Sequence, residues 1–395
     1  MINFLSGILA SLVANIISTI YGIERNTHAK KAFTKRAEVF HKKITPYLLD
    51  KLLPEQQPDV ANKLAVEDID GKPTVLPYIS LIEKSKIKLS KSLVIEKRPT
   101  KHDNKLLHWM TTELGKTADN NPTFTLQGIS SSGELIIGTS DYISTLSTSD
   151  IHYFDLIRYF PVKNKIGLLF AYRNNKRTKE WLNALKKITI DRTFTHYHAS
   201  IGCSVLTVMK TSDGKYKYPI KRNSSEKGSS AMERHVLPSF MFQPISRRLK
   251  EQERELDLNI NVLREYGEEL LGIPELEQAE TVDVMLNHIY SHSLLKKLKN
   301  QLSTGEATLE VTGLILDIFR LRPEITFLLV LHDDCYAKNL KTNWETESKS
   351  LDLIELNDDS AYSELLSIRN SPLCSPGMAA LVNGRQLALK HLNEA

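Results

Sequence analysis

Cysteine is scarce in this chain of 395 residues, which contains only Cys203, Cys335 and Cys374. Their odd number and wide spacing suit no disulfide framework in a chain of this size. None of the three lies in a Cys-x-x-Cys arrangement, so the sequence gives no support for a structural zinc site. This cysteine usage predicts that the folded part of the protein is cytosolic.

The chain also has no strong excess of positive or negative charge. The chain has 52 basic and 47 acidic residues, a net charge of only +5, which by itself does not argue for binding to nucleic acid. Residues 59–193 contain no Gly-rich phosphate loop and no nucleophile elbow. Nucleic acid is therefore an unlikely partner, and the middle region receives no predicted chemistry.

Charged side chains are absent from residues 1–23. About 20 apolar residues suffice to cross a bilayer core, so a transmembrane helix is one interpretation of this segment. It has neither the positive start nor the small-residue cleavage site of a signal peptide, and we expect it to persist. Small and polar residues recur on one helical stripe, as in a helix-packing face: Asn3, Gly7, Ser11, Ala14, Asn15, Ser18 and Gly22.

The segment that follows, residues 24–58, is a basic helix and a linker closed by Pro54 and Pro58. By the positive-inside tendency, its lysines and arginines would keep the rest of the protein in the cytoplasm, anchored to the inner membrane. The alternative to a membrane span is that residues 1–23 form a buried oligomerisation helix in a soluble homo-oligomer, with the basic helix exposed to solvent.

A run of residues that begins at Arg264 concentrates three carboxylates on one face of a predicted helix. Glu265 lies three residues before Glu268 and four before Glu269, which separates their Cβ atoms by about 5–6 Å. Their repulsion, and a cost of roughly 1 kcal/mol for Gly267 in a helix interior, oppose this arrangement. A hard divalent cation would explain it. The alternative is an ordinary amphipathic helix with an Arg264–Glu268 ion pair.

This run resembles the signature helix of the Nudix hydrolase family, which ends in Arg-Glu-apolar-any-Glu-Glu-any-Gly-apolar. The arginine and the three glutamates match in order, whereas the glycine stands one place late, at Gly272. Counting back the family spacing, the more N-terminal glycine and glutamate fall on Lys250 and Leu256. Glu253 and Glu255 are near but out of register.

The order of predicted elements around the helix is similar to the Nudix core. A first hairpin turns at Asp213-Gly214 and ends near Lys221 and Arg222, and a second one follows the helix. The family usually has glycines where Ser239 and Phe240 stand. The predicted strands are 199–209, 215–222, 308–319 and 324–331.

The resemblance implies a fold that is α+β or α/β. A Nudix-like α/β/α sandwich with a mixed sheet would occupy residues 194–395. It would be preceded by a small accessory α+β region at 59–193, with a hairpin of 123–129 and 133–138, and by the apolar N-terminal helix.

The resemblance further implies hydrolysis of the diphosphate bond in a nucleoside diphosphate linked to another group. Mg²⁺ (or Mn²⁺) held by Glu265, Glu268 and Glu269 would be the cofactor, with Arg264 orienting a glutamate. Lys221 and Arg222 would face either phosphates or solvent, and the sequence favours solvent.

A second hypothesis is a sensor that binds a nucleotide without efficient turnover and controls assembly of the N-terminal helices, as in bacterial defence effectors. A third, a nucleic-acid-binding regulator, is disfavoured because the basic stretch fits no reader motif.

Overall fold

The computed structural model describes residues 29, 31–83, 87–90, 93–95, 120–158, 175–192, 194–223, 233–276, 280–341, 346–367 and 373–394. The predicted apolar helix at 1–23 lies outside these residues. Among the helices that are described, none is long and apolar enough to cross a membrane.

Residues 31–56 form one continuous helical segment, in which α-helical turns alternate with the π-helical stretches Phe40–Ile44 and Leu48–Leu52. Most of its apolar side chains are buried. The Phe40 ring packs edge-on against Tyr153 and Phe319, with ring centroids 6.0 and 5.4 Å away. The basic side chains of this segment lie on its exposed face. The segment is therefore part of the core of the protein.

The larger of the two sheets in the described part of the chain has nine strands, with the path β1-β2-β11-β12-β7-β8-β13, while β10 pairs with β7 and β9 with β8. The strands β7 and β12 are parallel and the other pairs are antiparallel, so the sheet is mixed. The bounds are β1 Leu64–Ile69, β2 Lys72–Glu83, β7 Gly202–Lys210, β8 Tyr216–Asn223, β9 Arg234–Val236, β10 Ser239–Met241, β11 Ala307–Asp317, β12 Arg322–Leu331 and β13 Thr346–Glu355.

Both predicted hairpins of the C-terminal half are present, as β7–β8 and β11–β12. The larger sheet also includes strands that precede residue 194. Strand β2 pairs with β11, for example Leu314 with Ile82, so residues 64–83 extend the sheet of the C-terminal half. Backbone groups at the edge of β11 need a partner, and β2 supplies it.

The smaller sheet consists of β3 Lys88–Leu89, β4 Val94–Ile95, β5 Pro122–Ile129 and β6 Glu134–Asp141. The antiparallel β5–β6 pair is the hairpin predicted for this region. The fold is thus a mixed α+β fold with a mixed sheet, as expected.

The described helices after residue 57 cover the sheets and connect their strands. The longest of them, α11, packs on β7, β11 and β12, and Gly384 allows a close approach because a Cβ atom there would lie 2.9 Å from Leu206 Cδ2. The bounds are α1 Pro58–Ala61, α2 Tyr142–Thr145, α3 Ile151–Arg158, α4 Lys176–Thr189, α5 Leu249–Arg254, α6 Leu258–Leu270, α7 Val282–Ser291, α8 Ser293–Thr304, α9 Cys335–Lys338, α10 Asp359–Leu366 and α11 Ser375–Glu394.

Candidate functional site

Helix α6 carries the three glutamates that the sequence singled out. Asp257 caps its N-terminus, because the carboxylate accepts the backbone N–H groups of Asn259 and Ile260 at 2.8 and 3.1 Å. Near its C-terminus Gly267 has a packing role, since a Cβ atom there would lie 2.8 Å from Leu295 Cδ1. The glycine that looked costly in the sequence lets α8 approach the helix.

A polar cleft of about 380 Å³ opens beside α6. Glu265 and Glu268 line it, together with Glu275 from the segment that follows the helix. The chain reaches Glu275 after a left-handed turn at Gly272, whose φ is +65°. Sequence reasoning missed Glu275, because its position depends on the path of the chain after this turn.

Arg264 is buried and ion-paired with its neighbour, its Nη2 lying 2.8 Å from Glu265 Oε1. Its guanidinium also donates two longer hydrogen bonds, both 3.5 Å, to the Gln243 carbonyl oxygen. These contacts fix the Glu265 carboxylate at the wall of the cleft. The role predicted for Arg264, orienting a glutamate, stays a prediction.

Two carboxyl groups of the cleft, those of Glu265 and Glu268, have raised pKa values. Burial raises the pKa of Glu265, and the Arg264 guanidinium opposes that rise. Burial, and next the charge of Glu265, raise the pKa of Glu268 to about 8. The charge of Glu275 contributes in the same direction to both groups. Close carboxyl groups that disfavour one another's ionisation create a demand for positive charge in the cleft.

Glu269, the third predicted ligand, is not among the residues that line the cleft. Its Oε2 lies 2.5 Å from Lys221 Nζ, and the side chains are only 8% and 2% exposed. The backbone N–H of Ser239 donates to the other carboxylate oxygen at 3.4 Å. The interpretation of Lys221 as a solvated surface residue was wrong, because its ammonium group is buried against Glu269 of α6.

Glu255, which the sequence placed out of register, holds the loop in front of α6. Its carboxylate accepts the backbone N–H groups of Ile245 and Ser246 at 2.6 and 2.9 Å. Burial raises the pKa of Glu255, while these hydrogen bonds oppose the rise. The loop from Gln243 to Arg247 forms one wall of the cleft, so Glu255 determines the position of that wall.

The oxygen donors of the cleft are chemically suited to Mg²⁺ or Mn²⁺. Glu265, Glu268 and Glu275 offer hard carboxylate oxygens. A cation bound beside Glu268 would favour its ionised form and lower its pKa. Within the described ranges, no three His, Cys, Asp or Glu side chains converge closely enough to form a complete metal site.

A second group of buried polar side chains lies at the start of α11, away from the cleft. Glu233 accepts hydrogen bonds from Arg320 Nη2 at 3.0 and 3.1 Å, and His41 Nε2 lies 3.0 Å from Glu233 Oε1. Cys374 Sγ is 3.0 Å from His235 Nδ1. Sequence reasoning missed this group because its members come from distant parts of the chain.

The cysteine and histidine of this group are neutral partners. Burial raises the pKa of the Cys374 thiol and lowers the pKa of His235. A thiol that donates to Nδ1 of a neutral imidazole pairs these two atoms without burying an unpaired charge. We therefore regard the group as a polar connection between the helical segment 31–56, β9 and α11.

No protein-family model and no curated protein matches the chain. Among solved structures it is similar to a Nudix hydrolase from M. smegmatis, RenU, with 10% identity and a TM-score of 0.23 over 48% of this chain and 87% of that one. It is also similar to a NUDIX hydrolase from Alicyclobacillus acidocaldarius, with 10% identity and a TM-score of 0.27 over 49% of this chain and 96% of that one.

Proposed function

We propose that the protein is a pyrophosphohydrolase of the Nudix type, which hydrolyses the diphosphate bond of a nucleoside diphosphate linked to another group. The observation that carries the proposal is the pairing of Glu265 and Glu268 on one turn of α6 at the wall of a polar cleft. The pKa of Glu268, raised to about 8, marks a carboxyl group in need of a cation. Such perturbation is typical of functional sites.

Mg²⁺ or Mn²⁺ would be held by Glu265 and Glu268, while Glu275 adds negative charge to the same cleft. When bound, the ion would neutralise phosphate charge, polarise a phosphoryl oxygen and lower the pKa of a water molecule. Within the chain itself, Arg264 would keep the Glu265 carboxylate in one orientation through its 2.8 Å contact. Lys221 would fix Glu269, and with it the register of α6 against β8.

Product analysis by mass spectrometry tests this function. The purified protein is incubated with ADP-ribose, dinucleotide cofactors, nucleotide sugars and nucleoside triphosphates, with and without Mg²⁺. We expect Mg²⁺-dependent cleavage at a diphosphate bond that is lost in the Glu265→Gln, Glu268→Gln double variant. Glu253→Gln is the matched control, because Glu253 is exposed and outside the cleft. Cleavage that persists in the double variant would contradict the proposal.

A nucleotide sensor with weak turnover is the second candidate. It is favoured by the 2.5 Å contact of Lys221 with Glu269, which withdraws one of the three expected ligands from the cleft. A sensor would bind a nucleotide from the same panel without consuming it. Binding measured by calorimetry, with no product by mass spectrometry over the same period, distinguishes the two functions.

The role of residues 1–23 is a further part of the proposal. We propose that they anchor a cytoplasmic protein to the inner membrane, or else drive assembly of a homo-oligomer. Cell fractionation of the full chain and of a variant lacking residues 1–23 separates these roles. Release from membranes on deletion supports anchoring, whereas a soluble full chain that loses only oligomeric order supports assembly.

A further inference from the structure

Arg247 lies on the loop that precedes α5, and it lines the same cleft as Glu265 and Glu268. Its side chain lines the cleft and is exposed. In the part of the chain that the structure describes, neither a hydrogen bond nor an ion pair occupies its guanidinium. The other arginine of the cleft, Arg264, is already engaged with Glu265.

The backbone of this loop is held firmly, although its arginine is exposed. Glu255 accepts the N–H groups of Ile245 and Ser246 at 2.6 and 2.9 Å. Gln252 Nε2 donates to the Ser246 carbonyl oxygen at 3.0 Å, and Ser246 Oγ accepts the N–H of Arg248 at 3.1 Å. The residues on both sides of Arg247 are therefore tethered, which limits the region that its guanidinium reaches.

The cleft contains charges of both signs, from helix α6, from the segment after it and from the loop before α5. Glu265, Glu268 and Glu275 supply negative charge that attracts a divalent cation, and Arg247 supplies positive charge from the loop. A diphosphate has two phosphate groups, and a cation at the glutamates neutralises only part of their charge. The planar guanidinium fork binds phosphate oxygens in pairs, with charge-assisted hydrogen bonds.

The composition of the cleft lining also favours a phosphate ligand. Of the twelve described residues that line it, eight are polar or charged and none is aromatic. Stacking on aromatic rings, a common means of binding a nucleobase, is not offered by these residues. Recognition in this cleft would therefore rest on the phosphate groups.

We infer that Arg247 binds the phosphate that is not held at the glutamates, and that Glu255 positions the loop for this contact. The inference rests on the proposed function, because it assumes a diphosphate in the cleft. It assigns to this chain a two-sided clamp, with a divalent cation on α6 and a guanidinium on the loop. The ligand class is a compact diphosphate group, whichever nucleoside or other group it carries.

Calorimetry with methylenediphosphonate, a diphosphate analogue that resists hydrolysis and has no nucleoside, tests the clamp in the presence of Mg²⁺. We expect Arg247→Ala to weaken binding about tenfold or more, as for the loss of a hydrogen-bonded charged group. Arg247→Lys should recover part of the affinity, because it keeps the charge but not the fork. Arg248→Ala is the matched control, since Arg248 pairs with the exposed Glu280 at 3.6 Å, and it should bind as the wild type does.

The outcomes separate this inference from the proposed function. Equal affinities of Arg247→Ala and Arg248→Ala, with normal binding by the wild type, would overturn the role of Arg247 and leave the hydrolase proposal intact. Absence of binding by the wild type would overturn the clamp. The hydrolase proposal is tested separately, and it would be contradicted if the product analysis showed no Mg²⁺-dependent cleavage.

Discussion

Lys221 Nζ lies 2.5 Å from Glu269 Oε2 in the interior of the protein. This ion pair connects β8 to α6, the helix that carries the candidate site. It also divides the three glutamates into two groups: Glu265 and Glu268 at the cleft, and Glu269 behind it. Glu269 thereby fixes helix α6 to the sheet, while the other two glutamates remain at the cleft.

Replacing Lys221 by methionine should destabilise the fold by roughly 3–5 kcal/mol, because it leaves a buried carboxylate without its partner. Methionine at both 221 and 269 should recover most of that loss, since an apolar pair of similar volume needs no counter-charge. Urea unfolding followed by circular dichroism gives both values. Equal destabilisation in the single and double variants would show that the pair contributes packing alone.

The raised pKa of Glu268 predicts a pH dependence of stability. The carboxyl group has an ordinary pKa of 4.5 and a folded-state pKa of about 8, so between these values the folded state binds more protons than the unfolded state. The protonated Glu268 carboxyl should therefore make its full contribution to the free energy of unfolding below pH 4.5. That contribution should decrease as the pH rises to about 8. Glu268→Gln should flatten this slope. Unfolding midpoints from pH 5 to pH 8.5 test it, and identical slopes in both proteins would contradict it.

Removing the Glu255 carboxylate should release the loop at the cleft. Glu255→Ala leaves the buried N–H groups of Ile245 and Ser246 without an acceptor, at a cost of about 1–3 kcal/mol for each group. Glu255→Gln keeps an acceptor oxygen and should be milder. The exposed Glu253 offers the control, because Glu253→Ala should change stability by no more than about 0.5 kcal/mol. Thermal unfolding and amide exchange at residues 245 and 246 report the two effects.

The three free cysteines should differ in reactivity. Cys203 and Cys374 are buried, whereas Cys335 is only partly covered, and burial raises the pKa of all three thiols. Because the thiolate is the reactive form, the native protein should react slowly with a thiol reagent and at Cys335 first. All three should react rapidly in denaturant. Rapid native labelling of Cys374 would contradict its burial beside His235.

The hairpins and the carboxylate helix were predictable, because alternating β-branched residues and three- or four-residue spacing are local signals. The burial of Lys221 was not predictable in this way. Alternation shows which residues share a face of a strand, but not which helix covers that face. The same limit applies to Glu275, whose place at the cleft depends on the path of the chain after Gly272.

The pairing of β2 with β11 was equally inaccessible to local signals, because the two strands are far apart in sequence. It means that strands from both ends of the chain meet in one sheet. A fragment that started at residue 194 would leave the long edge of β11 without a neighbour, and such edges recruit strands from other molecules. During synthesis the β1–β2 hairpin leaves the ribosome long before β11 exists, so one edge of the hairpin waits for a partner until most of the protein has been made.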